Sequence, residues 1–293
     1  MGYNYNEFWY DINCMAKKYR FMDLFSIGES VMEKKLFCVS VGNGEKKLFI
    51  NGAHHGLEYL TALFITKFID NFCMAYKNQE SLFGYDISDL YDFVTLYAVP
   101  MVNPDGVDIA VNGIDITNPY HRKLISSVGI HSFNKVWQAN VRGVDINHNY
   151  DACWQVVNPE PGPTKYAGPY SESEPETKAI VELVKNEKFD MLIAFHSQGG
   201  EIYYDFDGSM AANSQSIAQE FSRVSGYTVA MPQGDAVFGG CKDWFIQEFG
   251  KAGFTIEIGH GKNPLPKDML DEIYEENSKI ILSAMEQLKN GIA

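Results

Sequence analysis

Basic residues are scarce in this sequence: 24 Lys plus Arg stand against 38 Asp plus Glu, a formal net charge of −14. Phosphate backbones and anionic bilayers are bound by basic surface, so neither nucleic acid nor membrane is an expected partner. Cysteine is also scarce. Cys14, Cys38, Cys73, Cys153 and Cys241 are scattered through 293 residues with no CxxC pair. No thiolate zinc site or dithiol redox motif is expected, and at least four of the five read as small buried hydrophobes. No apolar run approaches the roughly 20 residues of a membrane span. The first 20 residues lack a basic segment followed by an apolar one, so no secretory signal is expected. Asn6 stands where a myristoylation signal has Ser or Thr. The expectation is a reduced, cytoplasmic protein. Internal repeats, low-complexity tracts and Gly/Ser linkers are absent too, which predicts one domain over residues 1–293.

What is present is a globular composition, 45 % hydrophobic and 14 % aromatic, ample for a sizeable core. Short apolar runs alternate with amphipathic stretches. Strands are predicted at Leu36–Val41, Leu48–Asn51, Phe93–Val99, Met191–Phe195 and Phe254–Ile258, the first two separated by a Gly42-Asn43-Gly44 turn signal. Helices are predicted at Glu7–Arg20, Leu57–Tyr76, Glu174–Lys185, Asn213–Ser225, Cys241–Phe249 and Lys267–Lys289. Continuous apolar strands between amphipathic helices indicate an α/β fold: a mixed, mostly parallel twisted sheet with helices on both faces. Between Tyr97 and Tyr170 periodicity is weak and Asn, Gly and Pro abound. Loops that long inside a domain are usually functional.

Three segments carry candidate chemistry. In Phe49-Ile-Asn-Gly-Ala-His54-His55-Gly-Leu-Glu58, a strand runs through a glycine turn into a helix. The three-residue spacing of His55 and Glu58 can aim an imidazole and a carboxylate at one metal ion. His196 directly follows the buried run Met191–Phe195, where ligands bind in open α/β sheets. Glu257 lies inside the apolar strand Phe254–Ile258, where a carboxylate is costly unless it has a partner or a task. Each has a plain structural alternative: a helix-entry carboxylate, a tolerated histidine, a salt bridge. Together they offer two histidines and a glutamate, a zinc set with a fourth position open for water. A further glutamate then serves as general base. His54 adjoins His55, but the HxxE frame reaches Glu58 only from His55. His121, His131 and His260 fit no ligand spacing, although His260 lies close enough to Glu257 to line a site.

With these residues the sequence resembles the zinc carboxypeptidases of the carboxypeptidase A type, over nearly its whole length. The family's motifs stand in order as His55-Gly-Leu-Glu58, Asn103-Pro-Asp-Gly106, Asp145-Ile-Asn147-His-Asn, His196-Ser197 and Glu257. The resemblance implies one Zn²⁺ held by His55, Glu58 and His196, with Glu257 as catalytic base.

The departures from the digestive enzymes bear on substrate. Their Asn-Arg carboxylate clamp is Asn147-His148 here, without the bidentate guanidinium fork. The residue after Trp137 is Gln138 rather than the oxyanion arginine, which leaves Arg142 as the candidate to polarise the scissile carbonyl. Asp235 stands where the mobile tyrosine would be. Lys242 is placed at the base of the pocket for the residue after the cleaved bond, favouring a substrate with an extra carboxylate. The runs Val136–Asn147, His196–Tyr203 and Lys242–Gln247 resemble bacterial γ-D-glutamyl-diaminopimelate endopeptidases. That branch implies hydrolysis of the γ-D-Glu–meso-diaminopimelate amide in a small peptide or muropeptide. A metallocarboxypeptidase trimming acidic C-terminal residues is the alternative, and a non-catalytic binding module of the same fold is a third. An acidic protein that binds an acidic peptide needs local cations, and Zn²⁺, Arg142 and Lys242 are the expected ones.

Overall fold

The computed structural model describes residues 2–125, 133–231 and 238–292. Its apolar runs assemble into one eight-stranded sheet. The chain supplies β1 (Met22–Glu29), β2 (Lys35–Val41), β3 (Lys46–Gly52), a small hairpin of β4 (Ser81–Leu82) and β5 (Tyr85–Asp86), then β6 (Val94–Val99), β7 (Met191–His196), β8 (Glu201–Tyr203), β9 (Thr228–Val229) and β10 (Ala252–Glu257). The sheet order is β1-β2-β6-β3-β7-β10-β8-β9. The middle four strands, β6, β3, β7 and β10, run parallel. β2 and β8 join that block antiparallel on either side. This is the mixed, mostly parallel sheet that the sequence pattern implies.

The continuous apolar strands are continuous because both faces are covered. In β7, Met191, Ile193 and Phe195 enter one core and Leu192 and Ala194 the other. In β3, Leu48 and Ile50 face the first core and Phe49 the second, where its ring stacks on Phe189 at 4.8 Å. Alternate side chains leave a strand on opposite sides, so a strand buried on both must be apolar throughout. The first core is closed by α1 (Tyr5–Lys18), α2 (Tyr59–Asn78), α8 (Ser214–Ser225) and α10 (Leu270–Lys289), counting helices in chain order. The second is closed by α7 (Pro175–Glu187) and α9 (Cys241–Phe249). The remaining helices are short: α3 (Ile87–Phe93), α4 (Pro104–Asn112), α5 (Pro119–Leu124) and α6 (Phe133–Val136). No described helix is long and apolar enough to cross a membrane.

Three features depart from the sequence expectation. The turn at Gly42–Gly44 does not make a hairpin: β6 lies between β2 and β3. Its glycines instead let the chain cross the start of β6. A Cβ on Gly44 would sit 1.8 Å from the Phe93 carbonyl carbon, and one on Gly42 would sit 2.2 Å from the Val94 oxygen. The weakly periodic stretch after β6 builds a third small core, with Leu57, Ile109, Phe133 and the wholly buried Trp137. And only three of the five thiols are buried, because Cys14 and Cys153 are exposed.

Beside that third core lies a buried acid. Glu176, at the start of α7, accepts the Val31 N–H at 3.2 Å and an Asn140 N–H at 3.4 Å. Burial, with Asp105 and Glu174 nearby, pushes its carboxyl up to about 8. The folded state therefore holds a proton that the unfolded chain, titrating near 4.5, gives up. Its contribution to stability is complete below pH 4.5 and declines as pH rises to about 8. Glu176→Gln, which cannot ionise, should gain on the wild type across that window in urea unfolding followed at several pH values. A stability difference independent of pH would refute the buried proton.

Candidate active site

The carboxyl ends of three adjacent parallel strands meet at one place. β3 ends at Gly52 and passes through Ala53 and His54 to His55, β7 ends at His196, and β10 ends at Glu257. Glu257 is the register partner of His196. The Glu58 carboxylate, at the end of the turn Gly56–Glu58, lies between the two imidazoles: its Oε1 is 2.9 Å from His55 Nδ1 and its Oε2 3.1 Å from His196 Nδ1. One donor atom from each of the three residues falls within 4.8 Å of the others. A single zinc ion, with bonds of about 2.0–2.2 Å to nitrogen and oxygen, spans such a set. His55 Nε2 lies 3.2 Å from Asp145 Oδ1, and Asp145 Oδ2 accepts the Lys165 N–H at 2.9 Å. A carboxylate behind an imidazole fixes its tautomer and turns the other nitrogen toward a metal.

Electrostatics point the same way. Burial would push the Glu58 carboxyl up, yet His55 and His196 hold it at about 2. Burial would lower His55, yet Glu58 and Asp145 raise it well above its ordinary 6.5. Asp145 is held below the usual carboxylate range, against its own burial, by His55 and His148. A buried cluster that draws a proton onto an imidazole in this way calls for a cation, and a divalent ion with two imidazoles and a carboxylate as ligands meets the need. Glu257 is driven the other way: burial and the Glu58 and Glu201 carboxylates raise it well above 4.5, with His55 opposing.

Backbone contacts hold this turn in place. Asn103 caps α4 through the Gly106 N–H at 2.8 Å and donates to the His54 carbonyl at 2.9 Å. Gly56 and Leu57 donate to the carbonyls of Gln138 and Trp137 at 2.9 and 3.0 Å. A Cβ on Gly56 would lie 2.3 Å from the Gly106 oxygen, so the Asn-Pro-Asp-Gly motif is the seat on which the His-Gly-Leu-Glu motif rests.

The zinc carboxypeptidase family model matches residues 10–280. The chain belongs to the zinc carboxypeptidase family. It is a zinc metallopeptidase that uses one Zn²⁺. The γ-D-glutamyl-L-diamino acid endopeptidase 1 of Lysinibacillus sphaericus is 36 % identical over 288 residues, covering 97 % of this chain and 72 % of that protein. The Bacillus subtilis protein YqgT is 30 % identical over 283 residues, 94 % of this chain and 75 % of its own length. Bovine thrombin-activatable fibrinolysis inhibitor, solved with a tick carboxypeptidase inhibitor, superposes with a TM-score of 0.81 at 19 % identity, covering 99 % of this chain and 98 % of that one. At that identity the likeness is one of fold.

A cavity of about 800 Å³ opens over the three strand ends. His55, His196 and Glu257 line it, and so do Asn147, His148 and Lys242. Their states differ from expectation. The Asn147 carboxamide oxygen accepts the Cys241 N–H at 3.1 Å, which leaves its NH₂ to donate. His148 Nδ1 meets the Phe238 carbonyl at 3.0 Å. A carbonyl only accepts, so Nδ1 carries the proton, and Nε2 can donate to a carboxylate only from the imidazolium. Lys242 does not face solvent: it is buried, donates to the Asp205 carbonyl and pairs with the neighbouring Asp243. Its charge is already matched. Arg142 needs correction, because it is absent from the cavity wall. Its half-exposed guanidinium lies 3.4 Å from Glu174 and lines a separate cleft with Tyr120 and Glu160. The chain turns away because Asn140 accepts the Arg142 N–H at 2.9 Å and the Val144 N–H at 3.1 Å.

His54 is wholly buried behind the site, its Nε2 2.9 Å from the Tyr150 hydroxyl. His260 is exposed, edge-on to Tyr227, and His121 is buried, accepting the Asp115 N–H at 3.0 Å. His131 and Asp235 lie outside the described residues. Asp145 stands in its sequence motif, and Glu201 and Tyr203 in the His196–Tyr203 run, with no task legible from sequence; the latter two also line the cavity. Asp145→Asn should weaken zinc binding about 10- to 100-fold in a chelator competition while the protein stays folded. Unchanged affinity would show that Asp145 does not orient His55.

Proposed function

We propose that this zinc metallopeptidase hydrolyses the amide between the γ-carboxyl of D-glutamate and a diamino acid such as meso-diaminopimelate, in peptidoglycan-derived peptides. One observation carries the reading: 36 % identity over 97 % of the chain to an enzyme named for that bond. The sequence supports it, because His148 replaces the arginine that the resemblance puts in the digestive enzymes' carboxylate clamp, and in the cavity Lys242 is already paired with Asp243.

In this reading His55, Glu58 and His196 hold the zinc, with Asp145 behind His55. When bound, the ion supplies Lewis acidity to the scissile carbonyl and lowers the pKa of water from 15.7 to about 7. Glu257 is the general base. Its carboxylate stands at a strand end, withdrawn from bulk water and beside other carboxylates, which strengthens it as a proton acceptor. It takes the proton of the attacking water and returns it to the leaving amine nitrogen. The Asn147 NH₂ donates to a carboxylate of the departing residue. Arg142 has no part in this scheme.

Two experiments test it. Glu257→Gln should lower turnover about 10²- to 10⁴-fold with zinc content unchanged by elemental analysis, and a zinc-loaded variant that retains activity would end Glu257's assignment. Incubation with L-Ala-γ-D-Glu-meso-diaminopimelate should release free diaminopimelate, identified by mass spectrometry. Cleavage only of ordinary α-linked peptides with acidic C-termini would establish the metallocarboxypeptidase alternative.

A further inference from the structure

The charges in the cavity do not cancel. Asp243 is matched by Lys242, and Glu58 and Glu257 stand at the cation site. Glu201 remains. It is the register partner of Glu257 across the antiparallel β10–β8 pair, and Tyr203 is the partner of Thr255. Directly paired residues project from the same face of a sheet, and so do residues two apart on one strand. Glu201, Tyr203, Thr255 and Glu257 therefore share the cavity wall, while Ile202 and Ile256 turn into the core behind them. The Tyr203 hydroxyl donates to Glu201 Oε2. Among the described residues, no lysine, arginine or histidine pairs with Glu201. A carboxylate oriented by a hydroxyl, facing a cavity and without a cation of its own, is built to accept one from a ligand.

We propose that Glu201 binds the side-chain ammonium of the diamino acid residue that follows the cleaved bond, and that Tyr203 is the positioning residue that holds its carboxylate. The proposal rests on the reading of the substrate as a γ-D-glutamyl-diamino acid peptide. It reverses the expectation drawn from Lys242: the charge left open in this pocket is negative, so the group it selects is positive.

The test compares kcat/KM for L-Ala-γ-D-Glu-L-Lys and L-Ala-γ-D-Glu-L-norleucine, which differ by the ammonium alone, on the zinc-loaded full chain. The wild type should prefer the lysine peptide. Glu201→Gln should lower the ratio of the two kcat/KM values about 10- to 100-fold. Glu201→Asp, which retains the charge, should keep most of the preference, and Tyr203→Phe should lower the ratio by less than Glu201→Gln. A purely structural role, or an influence of Glu201 on Glu257, would depress both substrates alike and leave the ratio fixed. That result, or a wild type indifferent to the ammonium, would overturn the proposal while cleavage of the γ-linked peptides left the function reading intact. A wild type that cleaves neither γ-linked peptide but does cleave α-linked ones would overturn both.

Discussion

Everything at the site depends on one buried carboxylate. Glu58 lies between the imidazoles of His55 and His196, and these three side chains come from two separate strand ends. A carboxylate this deeply buried would be costly alone. Its neighbours reverse the sign, holding it at about 2 while Glu58 and Asp145 lift His55. The cluster is thus a set of mutually dependent charges. That is the condition under which a divalent ion becomes part of the fold as well as of the chemistry.

That dependence explains why so much backbone is spent on a three-residue turn. The His55–Glu58 segment has its N–H groups pinned by the Trp137 and Gln138 carbonyls and its preceding carbonyl held by Asn103. The chains approach so closely at Gly56 and Gly106 that neither position admits a side chain. The long, weakly periodic stretch after β6 is therefore a support. Trp137 anchors its small core, and the carbonyls it presents hold the metal-binding turn to the geometry that β7 and β10 impose from the other side.

This division decides what was legible in the sequence. Residues whose function depends on local spacing or on strand burial could be read: the HxxE pair, the histidine ending an apolar strand, the glutamate inside another. The central strands could be read because burial on both faces makes them apolar. β1 could not, because an edge strand with one neighbour tolerates Asp23, Ser26 and Gly28. The Gly42–Gly44 turn was visible, but that β6 would insert beside it was not, since pairing order is a property of the whole chain. Arg142 was misplaced for a related reason. Nearness to Trp137 in sequence suggested nearness to the scissile bond, while a turn capped by Asn140 sends the side chain to Glu174. Lys242 lines the cavity, yet its ion pair with the adjacent Asp243 could not be inferred from position.

Glu201 is the residue that sequence alone was least able to reveal, because its place is set by an antiparallel register. Its significance changes the meaning of the chain's acidity. A protein with a net charge of −14 that takes an acidic peptide was expected to gather cations around its site. The cavity instead matches its lysine internally and leaves a carboxylate open. The field of the surface and the open charge of the pocket then have the same sign. Both attract an ammonium on the residue beyond the bond. The zinc ion provides the opposite charge, at the carbonyl to be attacked. The departing residue carries both signs, a carboxylate for the Asn147 amide and an ammonium for Glu201, and each has its own partner in the cavity wall. Pairing each sign with its own partner therefore sets the orientation of the departing residue as well as the strength of its binding.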